Sequence, residues 1–172
     1  MAETRAAQPP EPRLALNTPY LFEPAAFADA LAHALDAAPV ASLRLRLRGV
    51  TESELRFAID ALRPVCHSRE TALLLTDQPD LVAQTGADGV HLERARDALG
   101  ETRERLGDGA IIGAGCAASR HLGLIAGELG ADYVSFHPVA PDAAAPGAAL
   151  AAPELFGWWQ DLIEVPVVAE GG

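Results

Sequence analysis

The chain has 172 residues, 49% hydrophobic and 22% charged, enough for one domain with a sizeable core. A formal net charge of -11 argues against nucleic acid or an anionic membrane as partner, so any use of positive charge is local. All 13 basic residues other than histidine are arginine, and without lysine there is no primary-amine side chain to form a Schiff base with a substrate or with pyridoxal phosphate.

Residues 1–12 mix Ala, Pro, Glu and Arg with no apolar period, which predicts a disordered leader ahead of a single domain at 13–172. Leu14 to Thr18 is a short strand stopped by Pro19. Pro24 then opens a helix with Phe27, Leu31 and Leu35 on one stripe, closed by Pro39. In the next strand Leu43, Leu45 and Leu47 alternate with Arg44, Arg46 and Arg48, so one face is aliphatic and the other cationic. Buried arginines are costly unless paired, and a barrel strand opens at its C-terminal end onto the mouth of a site. Arg46 and Arg48 are therefore expected to receive a phosphate or carboxylate. The plainer alternatives are an exposed strand or internal pairing with acidic residues.

Thr51 and Glu54 make a capping box for a helix with Leu55, Ala58, Ile59 and Leu62 as its core stripe, which Pro64 is expected to bend or end early. Thr71 to Leu75 is a buried-strand run ending in Thr76-Asp77. Asp77 has the oxygen chemistry for magnesium, although a lone aspartate here more often caps the helix begun at Pro79.

Two stretches then start with the same three residues: Gly86-Ala87-Asp88-Gly89-Val90-His91-Leu92 and Gly130-Ala131-Asp132-Tyr133-Val134-Ser135-Phe136. Each follows a helical pattern and leads into a β-prone run, with glycine where a helix takes a left-handed C-cap. Between them lie a charged helix, Glu93 to Leu106, and a small-residue strand, Ala110 to Cys116. Gly113 and Gly115 in that strand permit close approach of a ligand or a backbone. Strand-helix units of roughly 20 to 25 residues are the cadence of a TIM (βα) barrel. Cys116 reads as a small apolar residue and His137 as a strand-end histidine. Residues 139–153 read as a mobile lid, Leu155, Trp158, Trp159 and Ile163 as a helix stripe, and Val165 to Ala169 as a seventh strand before Glu170-Gly171-Gly172. The fold class is α/β, a TIM barrel that ends after its seventh strand, so strands one and seven should carry open edges that invite a homo-oligomer. Cys66 and Cys116 lack metal spacing, and no apolar run approaches a membrane span or signal sequence, so a cytoplasmic location is expected.

From Leu14 to Gly172 the order of motifs resembles the thiamine-phosphate synthase family. The carriers of the resemblance are Arg44-Leu45-Arg46-Leu47-Arg48 for a Gln-Leu-Arg-x-Lys strand, Thr76-Asp77 for Asn-Asp, and Gly86 to Leu92 for GADGVHL. Gly130 to Phe136 matches a GADYV-x-F strand and Pro166 to Gly172 a Pro-Val-Val-Ala-x-Gly-Gly close. The resemblance implies an eight-stranded barrel that joins hydroxymethylpyrimidine diphosphate to a thiazole phosphate, with magnesium assisting release of diphosphate. It implies phosphorylated pyrimidine or thiazole ligands, with Arg46, Arg48 and Thr76 on diphosphate, Asp77 and Asp97 on the metal, and Gly171 and Gly172 on the thiazole phosphate.

The departures fall on working residues. Asparagine is replaced by Thr76, and the second magnesium aspartate by Arg96 with Asp97 one place off. The serine and histidine around Cys116 become Gly115 and Ala117, and the lid's two threonines and lysine become Asp142, Ala144 and Ala145. Three readings follow: a synthase with a rearranged site, a degenerate paralogue that binds or regulates, and another phosphate-handling barrel enzyme using His137 or His91 as acid-base. The loss of working residues favours weak or absent catalysis, with the catalytic residues themselves unassigned.

Overall fold

The computed structural model describes residues 11–140 and 149–171, apart from the Arg96 side chain. The leader's first ten residues, the lid positions Asp142, Ala144 and Ala145, and Gly172 lie outside the described residues. Strands and helices alternate along the chain: β1 Leu14–Asn17, α1 Pro24–Ala37, β2 Val40–Leu45, α2 Glu52–His67, β3 Ala72–Thr76, α3 Pro79–Thr85 and β4 Gly89–Leu92. They continue with α4 Ala95–Leu106, β5 Ile111–Gly115, α5 Arg120–Glu128, β6 Tyr133–Phe136, α6 Pro153–Leu162 and β7 Val167–Ala169. All neighbouring strands pair in parallel, and their order in the sheet is their order in the sequence. Among the described residues the result is a nearly closed TIM-type barrel of seven strands, as the sequence cadence predicts.

Local chemistry explains the boundaries. Glu23 accepts the Ala25 and Ala26 N–H groups ahead of Pro24, and the Thr51/Glu54 capping box is formed as expected. Pro64 does not end α2 early. The helix runs on to His67 because Leu62 and Cys66 are fully buried on either side of an exposed proline, so their packing outweighs one missing backbone hydrogen bond. The two Gly-Ala-Asp joints are built alike. Gly86 and Gly130 adopt positive φ of 69° and 89° at the helix ends. Asp88 accepts the Leu73 N–H at 2.7 Å and Asp132 accepts the Ile112 N–H at 2.7 Å, so each carboxylate ties the incoming strand to the start of the preceding one.

Alternation along the strands separates two layers. Leu43, Leu45, Leu73, Leu75, Val90, Ile112, Ala114, Val134 and Phe136 are buried in the cluster that packs against the helices. The other face supplies Ser42, Arg44, His91, Tyr133, Ser135 and, just past β7, Glu170 to an interior cavity of about 100 Å³. Barrel interiors are ordinarily filled by branched aliphatics. This one is polar, so its side chains must satisfy one another or a ligand.

Among the described residues β1 pairs only with β2 and β7 only with β6, which leaves a seam between them. Three of the four β1 residues are exposed, Leu14 at 51%. Unpaired edges of this kind template further pairing. Sedimentation at rising concentration is expected to show self-association that weakens when a proline replaces Ala15; a monomer at every concentration would show that the seam is adequately covered. No described helix is long and apolar enough to cross a membrane.

Candidate functional site

β2 stops at Leu45, earlier than the alternating pattern suggests, so the three arginines occupy different settings. Arg44, within the strand, points into the barrel and is 6% exposed. It forms a two-pronged ion pair with Glu170, Nη2 on Oε1 and Nη1 on Oε2 at 3.2 Å. Asn17 Nδ2 reaches the same carboxylate at 3.5 Å, so Glu170 links the end of β7 to β1 and β2. Burial pushes the Glu170 carboxyl up, but the Arg44 guanidinium, through its charge and its hydrogen bonds, outweighs it and leaves the group below its usual range.

Arg46 and Arg48 lie beyond the strand, on the mouth. The Arg46 N–H donates to Thr18 Oγ1 at 2.9 Å, its Nη2 donates to the Tyr20 hydroxyl, and its buried Nε has no partner among the described residues. The guanidinium carbons of Arg46 and Arg48 stand 4.4 and 4.1 Å from the centroid of the Tyr20 ring. Arg48 also pairs with Glu93 at 3.2 Å in an exposed setting. These groups line a cavity of about 370 Å³ together with Arg94, His91, His137, Pro138 and the Arg44–Glu170 pair.

A second cavity, about 360 Å³, shares Glu93, Arg94 and His137 with the first. Ala95, Asp97, Gly115, Cys116, Ala117 and Leu122 form the rest of its wall. Small residues at 115 and 117 leave room there, and Ala117 has a positive φ of 48°, an unfavourable conformation for a residue with a Cβ.

His91 is 1% exposed and its Nδ1 meets the Tyr133 hydroxyl at 2.8 Å. Burial first, then the Arg44 charge, lowers its pKa to about 3, so the ring is neutral at ordinary pH. Tyr133 reaches it by lying over Gly113, where an added Cβ would fall 2.1 Å from the ring. The close approach expected at Gly113 is thus made by a side chain of the next strand. At Gly115 it is made by the backbone, with Glu93 O 3.0 Å from such a Cβ. Cys116 is buried, and desolvation raises its thiol to about 11, which fits an apolar role.

The sequence-predicted residues are therefore only partly assembled. Arg46 and Arg48 meet in the mouth cavity, while Gly171 lines the smaller interior one. Thr76 ends β3 with a buried Oγ1 that has no partner among the described residues, and neither Thr76 nor Asp77 lines these cavities. Asp77 does not cap α3: that helix has no side-chain cap, and Asp77 Oδ1 instead accepts the Glu93 N–H at 2.9 Å, tying the β3 end to the β4 end. Asp97 stands in the neighbouring cavity. Sequence reasoning passed over Glu170, Tyr20 and Arg94. The charge in the run Pro166-Val167-Val168-Ala169-Glu170 was a usable signal for the first; nothing in the sequence marked the other two.

The family model described as thiamine monophosphate synthase matches residues 17–172. The thiamine-phosphate synthase of Rhodospirillum centenum is 45% identical over 160 residues, 93% of this chain and 77% of that one. The thiamine-phosphate synthase of Erythrobacter litoralis is 36% identical over 161 residues, 89% of this chain and 76% of that one. Among solved structures, thiamine phosphate pyrophosphorylase from Pyrococcus furiosus superposes with a TM-score of 0.78 at 23% identity, covering 93% of this chain and 75% of that one.

Proposed function

We propose, from the premise that this chain belongs to the thiamine monophosphate synthase family and so to thiamine biosynthesis, that its mouth binds phosphorylated pyrimidine or thiazole precursors and joins them slowly or not at all. The supporting observation is the lining of the mouth cavity. Four arginines face it against two glutamates, one of which is consumed by Arg44, in a protein whose overall charge is -11. Such a concentration of guanidinium groups suits a terminal phosphate, which each can grip through two N–H groups. Gly171, on the wall of the neighbouring interior cavity, is the proposed contact for a second phosphate.

The same lining lacks what the joining reaction asks of it. Negative charge develops on diphosphate as it leaves, and preorganised groups must neutralise it. Magnesium is the family's expected partner in that step. Among the described residues no three His, Cys, Asp or Glu side chains converge on a common point. Asp77 spends one oxygen on the Glu93 N–H, Glu93 itself faces Arg48, and Asp97 belongs to the adjoining cavity. The donors present do not fit a resident magnesium ion. His91, neutral and held by Tyr133, is a poor acid-base group at ordinary pH, which disfavours a barrel enzyme working through it. Two free, buried cysteines suit a reducing compartment, and we place the protein in the cytoplasm.

With both precursors and magnesium supplied, formation of thiamine phosphate is expected to be at least about 100-fold slower than in a relative with intact motifs, since loss of one stabiliser alone costs about 100- to 1000-fold. Turnover on the order of one per second would defeat the proposal of weak catalysis. Inorganic diphosphate should raise the melting temperature of the wild type and leave that of Arg46→Ala unchanged. Absence of any shift in the wild type would remove the binding half of the proposal.

A further inference from the structure

The donor set that fails to hold magnesium has a counterpart on the same rim. We propose that the mouth binds phosphate groups directly through arginine, without a divalent cation, and that Arg94 is one of the binding residues. This rests on the reading of the mouth as a phosphate site and deepens it by naming how the charge is met.

Arg94 follows β4, is exposed, and stands on the wall shared by the two cavities. Among the described residues it makes no ion pair and no side-chain hydrogen bond. Arg46 has no carboxylate partner either. It is held from the side by Tyr20, which leaves its charge uncancelled. Arg48 has Glu93, but that pair is solvent-exposed, at 3.2 to 3.3 Å, and exchanges readily for a more highly charged anion. Arg44, by contrast, is committed to Glu170 inside the barrel. The rim thus offers three guanidinium groups, from Arg46, Arg48 and Arg94, with Glu93 as the competing carboxylate.

This arrangement inverts the chemistry of a metal-bridged phosphate site. There, carboxylates hold a cation and the cation holds the phosphate oxygens. Here position 96, where the family resemblance expects a metal-binding aspartate, is itself arginine. A divalent cation approaching the rim meets net positive charge and carboxylates already engaged. It also neutralises free diphosphate in solution, so it competes with the arginines for the ligand's oxygens. The ligand class is a terminal mono- or diphosphate, whose oxygens match the planar guanidinium fork.

The test is calorimetric titration of the full chain with inorganic diphosphate, once with a chelator and once with millimolar magnesium. Binding is expected in chelator, with magnesium leaving it equal or weaker. Arg94→Ala should weaken binding in chelator by about tenfold, the loss of one charge-assisted contact, with Arg94→Lys recovering part of it. Glu93→Gln should tighten binding by freeing Arg48. Arg94 is exposed and supports nothing else, so its variants should melt like the wild type. Diphosphate binding that requires magnesium, or an Arg94→Ala protein that binds like the wild type, would overturn this inference while leaving the phosphate reading of the mouth intact. No binding under either condition would overturn both.

Discussion

Replacing Glu170 with alanine is expected to cost about 3–5 kcal/mol of folding stability, because it strands a buried guanidinium. Arg44 and Glu170 side chains are only 7% and 15% exposed, so water can only partly take over the lost partner. The carboxylate also receives Asn17, so its removal loosens the link between the end of β7 and the first two strands. In a chain of this size such a loss lowers the melting temperature by roughly 10 °C or more. The double replacement Arg44→Leu with Glu170→Leu should recover most of the deficit, since exchanging a whole buried pair for apolar packing is often neutral. Urea denaturation of the wild type, both single variants and the double variant measures this coupling directly. A Glu170→Ala protein within 1 kcal/mol of wild type, about the value of an exposed pair, would mean that the ion pair is solvated and contributes little.

Stability is expected to fall as pH drops from about 6.5, and His91 is the reason. Its ordinary pKa of 6.5 is lowered to about 3 in the fold, first by burial and then by the charge of Arg44. Glu170 acts in the opposite sense, while His137 and Arg46 add repulsion. Between those two values the unfolded chain binds a proton that the folded chain refuses, so each unit of acidification destabilises the fold. The slope approaches about 1.4 kcal/mol per pH unit for one such group, or about 2–3 kcal/mol between pH 6.5 and 4.5. The slope is half its maximum at pH 6.5 and fades within about one unit above it. Glu170 adds a second acidic loss: its lowered pKa stabilises the fold above the ordinary carboxylate value, and that contribution disappears as pH falls through the folded value. Chemical denaturation across pH 4.5 to 7.5 separates the two, because His91→Asn should flatten the upper part of the profile and leave the lower part. A His91→Asn profile with the wild-type slope would assign the acid sensitivity elsewhere.

Much of the fold was legible because its punctuation is local. The capping box at Thr51 and Glu54, the paired glycines at 86 and 130, and the prolines at helix starts each fix a boundary through contacts only a few residues long. The site was less legible, because its decisive contacts cross the barrel. Arg44 and Glu170 are 126 residues apart, and the alternation of leucine and arginine does not reveal which guanidinium finds an internal partner. The sequence pattern identifies Arg46 and Arg48 as mouth residues but extends the strand too far, since the alternation continues after the ladder to β3 ends at Leu45. Asp77 shows the opposite limit: a carboxylate at a strand end reads as a metal ligand or, more often, as a helix cap, and the structure gives it a third task, bracing the Glu93 backbone.

The strand order also bears on how the chain folds and opens. Since every strand pairs with its immediate predecessor, nearly all long-range structure is assembled from neighbours in sequence, as in a stack of repeats. Loop-closure costs are small at each step, and a partly finished array can grow from any point. The contacts of Asn17 and Arg44 with Glu170 span 153 and 126 residues and can form only when the curved array brings its two ends together. Amide hydrogens of β1 and β7 should therefore exchange by opening of the ends alone, while those of β3, β4 and β5 wait for the whole sheet to come apart.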